Sequence, residues 1–425
     1  MTYATSDRRR VAVIGSGVSG LTAAWALQPS ADVTLYEADD RLGGHAHTHD
    51  IARPTGGSVA VDTGFIVHNR ETYPTLLRLF AEVGVTTQDS DMSMSVRCEG
   101  CGLEYAGARG LGGLFAQPSS VVRPRYLRML TEVPRFHRAA RALLTDETAP
   151  EQTLGEFLAA GGYSQYFVSH FMTPVVSAVW SCAPELALDY PARYLFAFLL
   201  HHGMLSVTGS PQWRTVTGGS RTYVDKVAKD LTAVSTSTPV RELRRFADRV
   251  EVRDDSDCVQ TYDAAVVATH PDQALALLAE PTRAEREVLG AFRYSRNETV
   301  LHTDESVLPR SGRAQASWNY RMRSCRDRAD RVLVSYDMTR LQQLPGRERF
   351  VVTLGGARDV DPASVLARMV YHHPVYTPES VAAQARLGEL DTARVAFAGA
   401  YHGWGFHEDG CLSGFRAAQK LGGGW

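Results

Sequence analysis

Val11-Ala12-Val13-Ile14-Gly15-Ser16-Gly17-Val18-Ser19-Gly20, read together with Glu37, decides the fold of this chain. Val11 to Ile14 form a short apolar, β-branched run of the kind that suits a buried parallel strand. Gly15 permits a sharp turn, Gly17 lets backbone approach a pyrophosphate with no Cβ in the way, and Gly20 lets the next helix lie close on the strand. That helix begins near Val18, with Ser19 in its first turn, and continues through Leu27. Its unpaired N–H groups and positive dipole end are suited to phosphate. A second apolar strand, Asp32 to Tyr36, ends at Glu37, where a carboxylate can accept from ribose hydroxyls and disfavours a 2′-phosphate. A lone G-x-G-x-x-G carries little weight. Strand, glycines, helix, strand and terminal acid in one unit indicate a dinucleotide.

The next residues indicate which one. Ala38 follows the acid, and Arg41-Leu42-Gly43-Gly44-His45 then resembles the second fingerprint of glutathione-reductase-type flavoproteins. That resemblance implies FAD, with Arg41, Gly43, Gly44 and His45 beside its pyrophosphate.

At 425 residues the chain is long enough for two domains. A hydrophobic content of 44% fits a globular protein, and a formal net charge of −2 gives no electrostatic case for nucleic acid. Only Lys226, Lys229 and Lys420 are lysines among 45 basic residues. Of six cysteines, only Cys98 and Cys101 form a C-x-x-C. A zinc site needs a second pair or a histidine pair at ligand spacing, and none follows in register. A β-turn carrying two buried thiols is the favoured reading, and no metal site is assigned. Arg8-Arg9-Arg10 runs directly into the first strand, which gives no sign of a secretory leader. No apolar run reaches the roughly 18 residues of a membrane span. A cytoplasmic, soluble protein is expected.

Ser58 to Val67 alternates and then turns apolar, returning the chain toward the nucleotide. Thr75 to Val83 has helical spacing stopped by Gly84. Met92 to Val96 and Leu103 to Tyr105 read as a hairpin around the C-x-x-C turn. From Pro124 to Leu205 the pattern is mostly helical. Tyr194 to His202 is apolar nearly all round, as in a buried helix, the wall of a site for a long apolar ligand, or a patch resting on a membrane. Val216-Thr217-Gly218-Gly219-Ser220 opens a helix over 222–231. Strands are expected at 238–243, 249–252, 262–269, 297–303, 314–320, 331–338 and 350–354, and a helix at 363–370. Arg394 to Ala400 is a further buried strand, followed by a loop dense in glycine, histidine and aromatics, and then a helix from about Cys411 or Ser413.

In order along the chain, the first unit, the G-G after Glu37, Gly218-Gly219, Pro239-Val240, Ala268-Thr269 and the Gly399-ended strand resemble the flavin amine oxidase and phytoene desaturase superfamily. The match covers roughly half the chain. Gly64-Phe65-Ile66-Val67, Tyr73-Pro74 and Gly403 to Gly410 are similar to a bacterial branch of FAD-dependent oxidoreductases often found with cyclopropane-fatty-acid-synthase-like methyltransferases. The resemblance implies cofactor contacts at Val240, Ala268, Thr269, Gly399 and Ala400. It also implies a closing helix whose N-terminus, at Gly410, Cys411 and Leu412, points at the flavin pyrimidine, where backbone N–H groups stabilise negative charge. Two departures stand out. Many amine oxidases carry an acid where this chain has Ala400, and many place a lysine near flavin N5, a position none of the three lysines suits.

Chemistry is expected on the loop after the closing strand. His407 and Glu408 are the candidates for moving a proton while hydride moves. Tyr401 is a further catalytic candidate, and Trp404 is expected to pack on the flavin or line the cavity. His402 is a weaker candidate, and His372 and His373 are possible substrate contacts. His47 and His49 read as polar faces of a loop with no partner suited to a metal, and Asp62 as a residue that could orient a loop.

The resulting fold class is α/β: a glutathione-reductase-type FAD-binding Rossmann domain with an interleaved, amine-oxidase-like α+β substrate domain. Residues 1–66, 207–290 and 391–425 are assigned to the FAD domain, and residues 67–206 and 291–390 to the substrate domain. The expected activity is hydride transfer to or from a hydrophobic, lipid-like substrate, such as an acyl or terpenoid chain, with peripheral membrane contact. An amine oxidase, a redox-neutral double-bond isomerase and a non-catalytic flavin-binding subunit are the alternatives. No second G-x-G-x-x-G follows a strand, so no built-in NAD(P)H domain is expected.

Overall fold

Val11–Ile14 is almost entirely excluded from water because strands flank it on both sides and both faces are packed, Val11 and Val13 against helices and Ala12 and Ile14 in a core shared with Leu243, Val250 and Tyr262. In the computed structural model, which describes residues 8–53, 56–207, 209–326 and 331–425, this strand is the centre of a five-stranded parallel sheet. The order across the sheet is Ala233–Ser235, Ala31–Tyr36, Arg9–Ile14, Ala264–Val267 and Val395–Phe397. Parallel pairing explains the continuous apolar runs, since a strand covered on both faces has no solvent side to alternate with. The helices Val18–Leu27 and His407–Lys420 lie together on one face. A Cβ on Gly414 would come 2.1 Å from the Ser19 carbonyl, so only glycine lets the two backbones approach this closely. A three-stranded antiparallel sheet, Val240–Arg245, Val250–Asp254 and Val259–Tyr262, is joined to this layer by the Tyr36–Tyr262 hydroxyl contact at 2.7 Å.

A seven-stranded sheet forms the second body of structure, in the order 365–375, 293–302, 351–354, 334–337, 318–322, 94–98 and 103–106. Every pairing is antiparallel except that of Trp318–Met322 with Met94–Cys98. Helices Pro124–Thr145, Leu154–Ala160, Thr173–Trp180 and Ala192–His201 share one core with this sheet, built around Tyr126, Phe136, Phe167, Phe196 and Tyr320. Burying each such aromatic contributes on the order of 2–3 kcal/mol, more than an exposed ion pair supplies.

Several elements differ from their sequence reading. Residues 365–375 form a strand paired with Arg293–His302, where a helix over 363–370 was expected. Val365, Ala367, Met369 and Tyr371 recur every second residue along it, so the period is two. The closing helix begins at His407, one turn before the expected start. In Ala192–His201 the residues Leu195, Phe196, Phe198 and Leu199 are buried, so this helix packs into the core, with Leu200 exposed. The hairpin around Cys98 and Cys101 is formed as read. Residues 1–7 of the first expected segment lie outside the described residues. No helix among the described residues is long and apolar enough to cross a membrane.

Candidate active site

One cavity of about 780 Å3 runs from the glycine turn of the first unit to the helices and sheet of the second body. At the glycine end, Gly15 has φ +98°, and a Cβ there would meet the Ala268 carbonyl at 2.8 Å. A Cβ on Gly20 would come 1.8 Å from the Gly15 carbonyl. Gly17 differs from both: a Cβ there would meet nothing within 4 Å and would project into open space. Gly17 is also the residue before helix Val18–Leu27, and no side chain caps that end. The first-turn N–H groups therefore have no internal partner and face the cavity at Gly17, Val18 and Ser19.

Glu37 lines the same end. Its Oε2 accepts from Ser16 N at 2.9 Å and from the Ser16 hydroxyl, and Oε1 accepts from Asp39 N at 3.0 Å. The acid thus fixes the glycine turn while lining the cavity. The Arg41–His45 turn folds back over this unit. Gly43 N donates to Ser16 O at 3.1 Å, Arg41 Nη1 donates to Gly44 O at 2.9 Å, and Gly44 would place a Cβ 3.3 Å from Gly17 Cα. Ala38, Arg41, Gly44, His45, Val240, Ala268, Thr269, Gly399 and Ala400 all line the cavity, whereas Gly20 and Gly43 support it from behind. A bare helix N-terminus, an open cradle at Gly17 and a carboxylate one strand away fit FAD.

At the other end the expected residues separate. His407 lines the cavity, stacked on Phe65 with ring centroids 3.6 Å apart, and its Nε2 lies 3.2 Å from the Tyr223 hydroxyl. Burial holds it well below its ordinary pKa, with the nearby histidines His45 and His68 adding to the shift, so its imidazole is neutral. Tyr401 also lines the cavity; its ring is buried and its hydroxyl has no hydrogen-bond partner. Glu408 is absent from the lining: its two oxygens accept from Thr75 N and Leu76 N, each at 3.0 Å, capping helix Pro74–Glu82. Trp404 packs on His201 and Phe198, and its carbonyl accepts from Trp180 Nε1 at 3.1 Å, so it too lies outside the lining. Gly410, Cys411 and Leu412 fall in the body of the closing helix. Gly410 abuts Val18, Cys411 Sγ lies 3.3 Å from Thr22 Oγ1, and none of the three lines the cavity. Gly405, Phe406 and His407 line it in their place.

The structure adds His270 to His45, His372 and His373, and groups the four. His45, His270, His372 and His373 converge on the cavity with Tyr294 and Tyr371. His45 lies 5.3 Å from His373 and 5.1 Å from Tyr371 between ring centroids, and His270 stacks on Tyr294 at 4.1 Å. Burial lowers His45 and His373 to about 3 and His270 to about 4. Asn297 Nδ2, 3.0 Å from His373 Nδ1 and 3.1 Å from the Ser181 carbonyl, can only donate, which places the His373 proton on Nε2. These residues come from three separated segments, at 45, 270–294 and 371–373, and the pairing of strands 293–302 and 365–375 sets Tyr294 beside the last of them.

Asp62 and the histidines after the G-G turn have structural partners. Asp62 accepts from Thr48 Oγ1 at 2.6 Å, Ser220 N at 2.9 Å and Gln342 Nε2 at 3.1 Å, and burial raises it to about 6. His47 Nδ1 lies 3.0 Å from the Tyr371 hydroxyl, and His49 is on the following strand, Thr48–Ala52. His402 is half-buried against Tyr401, and desolvation is the main cause of a pKa lowered to about 4.

A family model described as flavin containing amine oxidoreductase matches residues 18–422, from the first turn of the nucleotide helix to the end of the closing helix. The chain belongs to that family. As a flavin-containing amine oxidoreductase it is a FAD-dependent enzyme. Solved structures of the same fold include cyclohexylamine oxidase from Brevibacterium oxydans IH-35A, 17% identical with a TM-score of 0.68, covering 97% of this chain and 98% of that one. A CLA-producing fatty acid isomerase from P. acnes is 15% identical with a TM-score of 0.69, over 97% and 98% of the two chains. A putative protoporphyrinogen oxidase from Exiguobacterium sp. 255-15 is 13% identical with a TM-score of 0.68, over 98% and 99%. At these identities the likeness shows the fold alone. Against that family background the lysines are accounted for elsewhere. Lys226 Nζ donates to the Gly84 carbonyl, Lys420 pairs with Asp391, and no lysine lines the cavity among the described residues.

Proposed function

We propose that this flavin-containing amine oxidoreductase transfers hydride to or from a hydrophobic, lipid-like substrate, such as an acyl or terpenoid chain. The observation that carries the reading is the lining away from the glycine turn: Met92, Met94, Val179, Trp180, Phe198 and Met204, with Trp318 and Tyr336 beyond. The only acids among the described lining residues are Glu37 and Asp39, both at the nucleotide end. An ammonium substrate would find no carboxylate to pair with, whereas an alkyl chain would bury apolar surface at about 25 cal/mol per Å2.

FAD supplies the hydride chemistry at N5 when bound. The chain supplies the rest. Gly17, Val18 and Ser19 would hold the pyrophosphate with backbone N–H groups, and Glu37 would accept from the ribose. His407 and Tyr401 form the wall beside the reacting end, His407 keeping its imidazole neutral and tied to the Tyr223 hydroxyl. The His373 Nε2–H, fixed by Asn297, is the group assigned to hold a proton on the histidine wall. The apolar lining excludes water from the reacting carbons. The division into FAD segments 1–66, 207–290 and 391–425 and substrate segments 67–206 and 291–390 belongs to the same proposal. It agrees with the parallel sheet drawing its strands from the first set and the seven-stranded sheet from the second.

A redox-neutral shift of a double bond is the second reading, favoured by the same carboxylate-free apolar end of the cavity and by the fold shared with a fatty acid isomerase. Membrane access for a lipid substrate is assigned to exposed Leu111, Val121, Val122 and Leu127, interleaved with exposed Arg109, Arg125 and Arg128. Mass spectrometry of acyl lipids incubated with the holoenzyme and an artificial electron acceptor tests the central reading. Loss of two hydrogens supports a desaturase. Unchanged mass with a moved double bond selects isomerisation. Turnover of amines alone, with peroxide released, contradicts both.

A further inference from the structure

We propose that Cys98, Cys101, His170 and Cys325 form a structural zinc site, separate from the flavin cavity. The C-x-x-C turn alone lacks half of a tetrahedral ligand set. The fold supplies the rest from two distant segments: His170, buried on the stretch leading into helix Thr173–Trp180, and Cys325, just beyond strand Trp318–Met322. The four ligand atoms all lie within 4.8 Å of one another. Cys98 Sγ is 3.7 Å from Cys325 Sγ, and Cys101 Sγ is 3.7 Å from His170 Nε2. Zinc bonds of about 2.3 Å to sulfur and about 2.0 Å to nitrogen give tetrahedral edges of about 3.8 Å for S–S and about 3.6 Å for S–N. The observed spacing is therefore that of a ligand tetrahedron. It is much longer than the roughly 2.05 Å of a disulfide bond, and all the cysteines are free thiols.

The surroundings prepare the ligands. His170 Nδ1 lies 2.8 Å from Ser169 Oγ, which itself donates to the Gln165 carbonyl at 2.9 Å. Ser169 thus accepts from Nδ1–H, the tautomer that leaves the Nε2 lone pair facing the sulfurs, as the outer partner of a zinc-bound histidine does. Tyr166 stacks on the imidazole at 3.8 Å and fixes its plane. His170 lies in a π-helical turn, Val168–Met172, a local widening of the kind found where a helix serves a site. Gly100 in the C-x-x-C turn would place a Cβ 2.9 Å from Ser324 Cα, so the turn is pressed against the segment that carries Cys325. Binding displaces the three thiol protons to solvent and requires no oxidant. The zinc would pin the hairpin 94–106 and the strand 318–322 to the helical segment whose far end, Ala178 to Ser181, lines the active-site cavity.

The test is metal analysis of the purified holoenzyme, with the chain also expressed in cobalt-supplemented minimal medium. One zinc per chain is expected, together with cobalt–thiolate d–d bands at red wavelengths beyond the flavin absorption. Cys325→Ser and the double change Cys98→Ser/Cys101→Ser should lower zinc at least tenfold. Cys258→Ser, at the exposed cysteine, should leave it unchanged. If the ligand variants fail to fold, the cobalt spectrum of the unaltered chain decides the question alone. Wild-type protein with less than a tenth of an equivalent of metal and no cobalt bands overturns the proposal, as does a Cys98–Cys325 disulfide in freshly prepared protein.

Discussion

Gly17 and Glu408 show how one residue's surroundings determine what its substitution reports. A side chain at Gly17 meets no protein atom, so Gly17→Val leaves the fold intact and obstructs only the pyrophosphate. The variant should purify at wild-type yield but colourless, with flavin content by absorbance at least tenfold down; fully yellow protein would place the cofactor elsewhere. Glu408 was legible as an acid near the flavin loop, but nothing in the local sequence shows that its oxygens cap the helix Pro74–Glu82, at Thr75 and Leu76, 333 and 332 residues earlier. Glu408→Ala should therefore cost about 1–2 kcal/mol of stability. Calorimetry should show the lower Tm, while single-turnover flavin reduction stays at the wild-type rate. His407→Ala, at the cavity wall, should keep its flavin and slow that reduction. An unaltered single-turnover rate would remove His407 from the chemistry.

At the scale of elements, legibility followed the range of the interaction. The first βαβ unit could be read because strand, turn, helix and acid are contiguous and each has a local steric reason. Strand 365–375 was misread because its pattern is carried by half-buried residues, and its partner, 293–302, lies far away in sequence. The sequence singled out His45, His372, His373, Cys98 and Cys101 one by one, but not their grouping with His270 or with His170 and Cys325, because long-range packing assembles both groups. Asp62 ties three such segments, carrying Thr48, Ser220 and Gln342, into one buried network. Asp62→Ala leaves several of these donors unpaired and should cost on the order of 3 kcal/mol. Chemical denaturation should show the loss; a change below about 0.5 kcal/mol would mean that the network does not hold these segments together.

Across the whole molecule, buried histidines set the response to acid. Burial lowers His45, His47 and His373 to about 3, and His68, His202, His270, His302 and His402 to about 4. The unfolded chain takes up these protons near pH 6.5, before the folded chain can, so the stability they contribute is complete above that pH. It is lost progressively as pH falls toward 4. Asp62 and Asp409, raised by burial to about 6 and about 7, act in the opposite sense, but eight groups outweigh two. Thermal melts should show Tm falling between pH 6.5 and 4, and a flat or rising Tm would contradict the neutral histidine wall. The central claim is that one cavity holds FAD at its glycine end and a lipid-like chain at its apolar end. Anaerobic absorbance of the flavin at about 450 nm tests this most directly, with unsaturated and methyl-branched acyl lipids, amines and NADPH offered in turn. Bleaching by an acyl lipid is the predicted result, and bleaching by amines alone would contradict the account.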